Sequence, residues 1–367
     1  MKILWFTWKD LNHPQAGGAE LINEEIARRL AGEGQELILI VSGFPGGLPE
    51  ETRNGYKIVR LGNRYSVYWK AYRYYTRYYR GWADIVIDEM NTMPFFCKFY
   101  VKERNILLAY QLCREVWFYQ MPFPMSLLGY MIEPFYLKLL NDRDVITQSE
   151  STKNDMLKYG FDSAHIAIMK IGIGIMPAVD IDQTDKFKNP TMLSLGALRK
   201  MKRTVDQIRA FEIAKKSMPT LRFMIAGSAS GGYGQKVLRL IKQSPFAEDI
   251  EYLGFVDEST KVELMRKCHA ILVTSVKEGW GLIVTEANSQ GTPAIVYNVD
   301  GLRDSVRHEE TGIICRGNNP QSLADAAVNL LSDQPKYHRI RMNAWHWSRE
   351  LTFDRCFEDF MRGIAEK

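Results

Sequence analysis

Two carboxylates, Glu278 and Glu286, stand eight positions apart in the stretch Val276–Gly301, VKEGWGLIVTEANSQGTPAIVYNVDG. Glu278 falls in a glycine loop. Glu286 falls midway along a helix that Gly279-Trp280-Gly281 opens and that Gly291 and Pro293 close, a glycine stop followed by a residue that cannot continue the turn. The backbone N–H groups that open such a helix, at Gly281-Leu282-Ile283, have no partner within it and suit an anion. The two carboxylates would then grip hydroxyls around that anion. A surface loop and an amphipathic helix with ordinary glutamates would produce the same pattern, and local chemistry leaves both readings open. A second cluster lies upstream, where Arg199, Lys200, Lys202 and Arg203 form a basic loop after a strand. With the helix N-terminus it would hold a diphosphate; alone it reads as well as a solvated surface. Glu278 and Glu286 would meet different parts of a ligand, which argues against a glycosidase acid–nucleophile pair acting across one bond.

The elements that must position these groups follow from the rest of the chain. At 367 residues it is long for one core, and two domains are expected. Apolar and charged fractions are those of a soluble globular protein. The net charge of +5, with no helix-turn-helix, zinc or RNA-binding signature, gives no case for nucleic acid. Five dispersed cysteines without a CxxC indicate a reducing compartment rather than disulfides or zinc. No signal peptide is read at Met1–Trp8. The longest apolar run, Val116–Ile132, is broken by Gln120, Pro122 and Pro124 and falls short of the roughly 20 residues of a spanning helix. The protein is expected to be cytoplasmic, either soluble or peripheral on the inner face of the membrane.

Lys2–Trp8 reads as a buried strand, followed by a loop with His13, then Ala16-Gly17-Gly18-Ala19-Glu20, a helix and a second strand at Glu36–Val41. This is a βαβ unit, hence a parallel sheet. The glycine pair opens a helix and can cradle phosphate, or be a simple turn. His13 is a candidate site residue with a surface histidine as its plainer reading. Further strands are expected at Tyr56–Leu61, Asp84–Asp88, Asn105–Leu112, Val145–Gln148 and Ile166–Ile171. Between them lies Arg64–Trp82, which has no acidic residue. Its Tyr68, Tyr72, Tyr75 and Tyr79 share one helical face and Arg73, Arg77 and Arg80 another. Such a helix would lie on an anionic membrane surface, or pack its tyrosines inward and solvate its arginines. Glu115–Leu140, rich in aromatics, Met and Pro, is either a buried irregular connection or an apolar acceptor groove.

Gly172–Pro190 reads as the inter-domain connection. The second half repeats the alternation, with strands at Thr191–Leu195, Leu221–Ala226, Glu251–Gly254, Ala270–Ser275, Ala294–Tyr297 and Gly312–Cys315. A doubly wound sheet binds ligands at the carboxyl ends of its strands, where Gly196–Arg203, Gly227–Gly234, Phe255–Glu258 and Lys277–Leu282 would converge. The terminal segment, about 346–367, is helical and would pack back on the first half. No carboxylate cluster, HxxxH or EF-hand spacing marks a metal site.

With these pieces in order the chain resembles the retaining glycosyltransferases of family 4, which have the GT-B architecture. The resemblance covers nearly the whole sequence. It rests on the EX7E motif Glu278–Glu286 and the following Ala287–Pro293, with Gly17-Gly18-Ala19-Glu20, Gly196…Lys202-Arg203, Ala226-Gly227, Gly254-Phe255-Val256 and Asp300-Gly301 in support. It implies two Rossmann-like doubly wound parallel-sheet domains facing across a cleft: an acceptor domain over 1–172 and a donor domain over 190–345. It implies transfer of a hexosyl group from a nucleotide-diphosphate sugar, UDP-sugar before GDP-mannose, to a glycan or lipid-linked acceptor in envelope or polysaccharide synthesis. The sugar nucleotide would be a substrate, and neither a cofactor nor a metal is expected. Glu278 would bind the donor sugar, and Glu286 the ribose. Lys202 and the Leu282 and Ile283 amides would take the diphosphate, with Gly227, Gly279 and Gly281 shaping the loops. Val256 would meet the base, and Gly18 would let the first domain approach the phosphate. Two departures stand out. The family's Arg after the glycine of the basic loop is Ala197 here, for which Arg199 or Arg203 would substitute. A His common in relatives after the strand near Tyr110 is absent, leaving Gln111 with His13 on the acceptor side. A non-catalytic sugar-nucleotide binder and an epimerase of the same architecture are the alternatives.

Overall fold

The computed structural model describes residues 1–365. The chain divides into two compact units, Met1–Gly172 joined by the terminal segment from Thr352, and Ile173–Leu351. Each is built on a mainly or wholly parallel sheet with helices on both faces.

Unit 1 holds strands β1 (Lys2–Phe6), β2 (Glu36–Val41), β3 (Glu50–Arg53), β4 (Tyr56–Arg60), β5 (Ile85–Met90), β6 (Arg104–Ala109), β7 (Val145–Thr147) and β8 (Ile166–Ile168), in the order β3-β4-β2-β1-β5-β6-β7-β8. All neighbours are parallel except the β3–β4 pair. Sequence reasoning missed β3, because Glu-Glu-Thr-Arg carries no apolar face; it is an edge strand held by its ladder to β4. The sheet reverses direction of growth between β1 and β5. The helix Gly18–Gly32 opens after the loop that follows β1. The terminal helix spans Phe353–Ala365, starting later than expected, and its Phe360 stacks on Trp5 at 5.7 Å. The preceding turns, Gln334–Ser348, belong to unit 2.

The tyrosine stripe of Val67–Tyr79 faces inward. Tyr75 is buried, Tyr68 packs on Phe95 and Tyr72 on Tyr100, while Arg73, Arg77 and Arg80 are exposed. The tyrosines therefore belong to the core and are not available at headgroup level.

The aromatic segment after β6 is neither irregular throughout nor a groove: Met125–Leu139 is a helix with Pro134 inside it. Proline removes one backbone donor and leaves the carbonyl four residues earlier unmatched. Here that carbonyl is Tyr130 O, and Arg114 Nη1 donates to it at 3.0 Å. Glu133, buried, fixes the approach to the helix by accepting from the Cys113 and Arg114 amides at 2.7 and 2.6 Å and from Trp117 Nε1 at 3.0 Å. These compensations come from residues 16 to 20 positions away, which is why periodicity alone did not find the helix.

Unit 2 holds β9 (Thr191–Leu195), β10 (Arg222–Ala226), β11 (Ile250–Gly254), β12 (Ala270–Val273), β13 (Ala294–Val296) and β14 (Gly312–Ile314), all parallel, in the order β11-β10-β9-β12-β13-β14. This is the doubly wound order with its switch point between β9 and β12. The segment read as a free connection folds onto this unit from Ile173 onward. Ala178 N donates to Ser289 O, and Lys186 Nζ donates to Cys268 O, Gly291 O and Thr292 Oγ1.

One buried group makes unit 1 sensitive to pH. Glu89 accepts from Trp5 Nε1 at 3.0 Å and Asn23 Nδ2 at 2.8 Å, and burial, aided by the Glu20 charge, pushes its carboxyl up to about 8. The folded chain keeps this proton where the unfolded chain, near 4.5, has lost it. Folded stability is therefore expected to fall as pH rises from about 4.5 to about 8. Asp88, raised to about 6, adds to the lower part of that fall. Glu89→Gln keeps an acceptor for Trp5 and is expected to flatten the profile in denaturant melts across this window. A wild-type profile unchanged by the substitution would contradict the buried proton.

Candidate functional site

The loops after β9 and β12 leave the sheet on either side of its switch point, where an open α/β sheet forms a crevice. They are tied together by backbone first. Val276 N donates to Met201 O at 2.9 Å, and Thr274 Oγ1 donates to Lys202 O at 2.8 Å. This brings Lys202 Nζ to 2.5 Å from Glu278 Oε1, and Ser275 Oγ donates to the same oxygen at 2.5 Å. The lysine is about one-third exposed and the carboxylate about one-fifth, so both ends reach solvent. A cation, a carboxylate and the opening turn of the helix Leu282–Ser289 thus lie on one short loop pair. Gly281 supplies no side-chain cap to that helix, so the amides of Leu282 and Ile283 remain its exposed positive end.

Glycines set how closely these loops run. Glu278 N donates to Asp300 O at 3.1 Å. A Cβ on Gly301, whose φ is +78°, would lie 2.2 Å from Glu278 O. Gly227 follows β10 at φ +151°, and a Cβ there would meet Gly196 O at 1.9 Å. Both positions need a backbone conformation and a clearance that a side chain denies.

The question raised by Ala197 has a partial answer. Arg203 is engaged away from Glu278: its guanidinium pairs with Asp206 at 2.6 Å, donates to Asn318 O at 3.0 Å and lies 4.7 Å over the Tyr297 ring. Arg199 is exposed and forms no ion pair among the described residues. Of the two, Arg199 is the side chain at liberty to reach an anion.

Glu286 is not part of the Lys202 cluster. It is buried on the Leu282–Ser289 helix, and Lys261 Nζ from the helix Glu258–Lys267 lies 3.4 Å from both its oxygens. Burial raises its carboxyl, Lys261 opposes this, and Glu258 adds to the rise. The two glutamates therefore have separate cations, in line with separate roles. Val256 lies in the loop that leads from β11 into the Lys261 helix, beside the exposed Phe255. Sequence reasoning missed Ser275, placed at a strand end, and Lys261, one cation on an ordinary charged helix. Neither carried a local signal. Among the described residues no group of three or more His, Cys, Asp and Glu is arranged to hold a metal ion.

In unit 1, Gly18 is exposed at the start of its helix, and Gly17 N donates to Glu20 Oε2 at 2.6 Å. His13 Nδ1 accepts from Gln15 N at 3.0 Å and the ring packs edgewise on Phe44. Burial and the nearby Lys9 lower its pKa and favour the neutral ring. The Gln111 side-chain oxygen is buried without a hydrogen-bond partner. Tyr110 turns inward, its hydroxyl donating to Asn23 Oδ1 at 2.6 Å, so it joins the Glu89 network and does not stand in for a histidine.

With this geometry in hand, the family model for "Glycosyl transferases group 1" matches residues 180–347. Residues 180–347 form a group 1 glycosyltransferase domain. The group 1 domain contains every element of the Lys202, Glu278 and Glu286 clusters. Beyond it, the chain is 22% identical to the N-acetyl-alpha-D-glucosaminyl L-malate synthase of Bacillus anthracis, over 93% of this chain and 91% of that one. The next curated relatives overlap it across about half of their own length. Among solved structures it resembles sucrose-phosphate synthase from Thermosynechococcus elongatus, with TM-score 0.77 and 17% identity over 98% and 97% of the two chains. It also resembles Anabaena HepE in complex with UDP-glucose, with TM-score 0.73 and 17% identity over 100% and 99%. The fold is GT-B, with two parallel-sheet α/β domains.

Gly301→Ala tests the loop geometry without touching a ligating group. It is expected to destabilise the protein by about 1–3 kcal/mol, from a strained φ and the displaced Glu278 carbonyl. A chemical denaturation midpoint equal to wild type would show that the loop absorbs the methyl.

Proposed function

We propose that the protein is a retaining, metal-independent family 4 glycosyltransferase. It moves a hexosyl group from a nucleotide-diphosphate sugar to a glycan or lipid-linked acceptor in envelope or polysaccharide synthesis. A UDP-sugar is the first choice of donor and GDP-mannose the second. The observation that carries this reading is the Lys202–Glu278–Ser275 cluster beside a helix N-terminus at the switch point of the group 1 domain. Lys202 and the Leu282 and Ile283 amides supply fixed positive charge for a departing diphosphate, and Arg199 stands in for the residue that Ala197 replaces. Glu278, held by Lys202 and Ser275, accepts from donor sugar hydroxyls. Glu286 accepts from the ribose, and the Val256 loop borders the base. In the reaction the acceptor oxygen bonds to the anomeric carbon as the bond from that carbon to the diphosphate oxygen breaks. The acceptor proton passes to the departing diphosphate on the same face, which preserves the anomeric configuration. His13 and Gln111 contribute on the acceptor side; the unpartnered Gln111 oxygen is ready to accept from a hydroxyl. Five buried free cysteines fit a cytoplasmic setting. The exposed Arg73, Arg77 and Arg80 would draw unit 1 to the anionic inner face of a membrane.

One observation favours a second reading, a non-catalytic sugar-nucleotide binder. Ala197 is uncharged and Arg203 is committed to Asp206, Asn318 and Tyr297. That reading requires donor binding with no transfer or hydrolysis over a broad acceptor panel. An epimerase would instead interconvert the free sugar nucleotide.

Incubation with UDP- and GDP-sugars and lipid-linked or glycan acceptors is expected to release nucleoside diphosphate and give a product with the donor's anomeric configuration. Lys202→Ala and Glu278→Gln are each expected to lower kcat about a hundredfold or more, while EDTA leaves the rate unchanged. Full activity in either variant would reject the site, and loss of activity in EDTA would reject metal independence.

A further inference from the structure

Most exposed large hydrophobic side chains among the described residues lie between Tyr65 and Leu139, on unit 1. Their densest group is on the helix Met125–Leu139 and the turn before it. One face of the helix buries Tyr136 and Leu137 in the core of unit 1. The other presents Leu128, Met131, Ile132, Phe135 and Leu139, spaced as a continuous helical stripe, with Phe123 just ahead of it. Phe123 is 79% exposed, Phe135 70% and Met131 58%. Contiguous apolar surface of this kind on a soluble domain marks an interaction site.

Charge selects the partner. From Trp117 to Leu139 the charged residues are Glu133 and Lys138. Glu133 is buried under its three donors, so the segment shows solvent no carboxylate. Cations stand at both ends of the apolar stripe. Arg64 Nη2 lies 3.6 Å from Met121 Sδ, and Lys98 Nζ donates to Leu139 O at 2.5 Å while also pairing with Asp142. Lys138 is exposed beside it. Two copies joined face to face would bring these basic ends together, which disfavours a symmetric dimer. An apolar stripe with a basic rim suits the boundary between acyl chains and anionic headgroups. Its 15 residues make a helix about 22 Å long, short of the roughly 30 Å hydrocarbon core. No helix of the described residues is long and apolar enough to cross a membrane.

We propose that Trp117–Leu139 is an interfacial anchor that seats unit 1 on an anionic lipid bilayer, the apolar stripe lying in the plane of the interface and the basic rim on the headgroups. This goes beyond the attraction supplied by Arg73, Arg77 and Arg80, because the anchor inserts apolar side chains. It is read without any donor, so its failure and that of the transferase reading are separable.

The test is co-sedimentation of the full chain with vesicles containing phosphatidylglycerol, at low salt and at about 0.5 M salt. Wild type is expected to bind at low salt and to retain part of its binding at high salt. Phe123→Asp with Phe135→Asp, both at exposed positions, is expected to lower the bound-to-free ratio roughly tenfold or more. Val179→Asp, at an exposed apolar position of unit 2, is expected to bind as wild type. Far-UV circular dichroism and the melting midpoint verify folding of each variant. Undiminished binding of the double variant would overturn the proposal. So would complete loss of wild-type binding in salt, which would assign attachment to the arginines alone. A vesicle-indifferent dimer that the double variant renders monomeric, read by light scattering, would assign the face to a second copy and also overturn it.

Discussion

Lys202 and Glu278 are 76 positions apart in sequence and meet at 2.5 Å. Neither could be held there by its own loop. The contact exists because β9 and β12 are adjacent in the sheet although β10 and β11 are built between them in sequence, so the loops after β9 and β12 emerge side by side. The doubly wound order thus decides which side chains share a crevice, and the loops need only be short and glycine-rich enough to close on each other. Gly227 and Gly301 mark the two places where they close most tightly. An exposed ion pair adds little to stability. Its value here is positional, since each partner and Ser275 limit the rotamers of the others.

How much of this was legible in the sequence depends on how local the cause was. The strands of both sheets announced themselves as buried apolar runs, and the helix Leu282–Ser289 by its glycine brackets. The EX7E spacing and the basic loop were visible as separate features. What brought them together was the sheet order, which the βαβ alternation implies. The misses share a different cause. β3 is a polar edge strand whose only support is its partner. Helix Met125–Leu139 contains Pro134 and survives because Arg114 satisfies the carbonyl that proline abandons. Lys261 lies on a helix of ordinary charge pattern and is given its role by Glu286, buried opposite it. In each case the deciding partner is distant in sequence and chemically unremarkable by itself.

Unit 1 shows the same division of labour with other groups. The β1–β5 switch point is lined by Glu89, Asn23 and Tyr110, a closed and buried network that holds the Gly18–Gly32 helix to the sheet. Tyr110 is thereby structural, and the side chain left with an unpartnered oxygen is its neighbour Gln111. The tyrosines of Val67–Tyr79 went to the core for the ordinary reason that a helix on a sheet must bury one face. The apolar stripe of Met125–Leu139 did not, although its other face already packs against unit 1. A helix apolar on both sides has two partners to satisfy, and only one of them is protein in this chain.

The central claim is that the Lys202–Glu278 loop pair receives a nucleoside diphosphate. Thermal melting with increasing UDP or GDP tests it most directly, since a ligand bound only by the folded chain stabilises it by mass action, about 2.7 kcal/mol at a hundredfold excess over Kd. The account predicts a midpoint that climbs with the concentration of one of the two nucleotides in wild type and stays flat in Lys202→Ala. A midpoint indifferent to both nucleotides at millimolar concentration, or a Lys202→Ala variant that responds as wild type does, would contradict it.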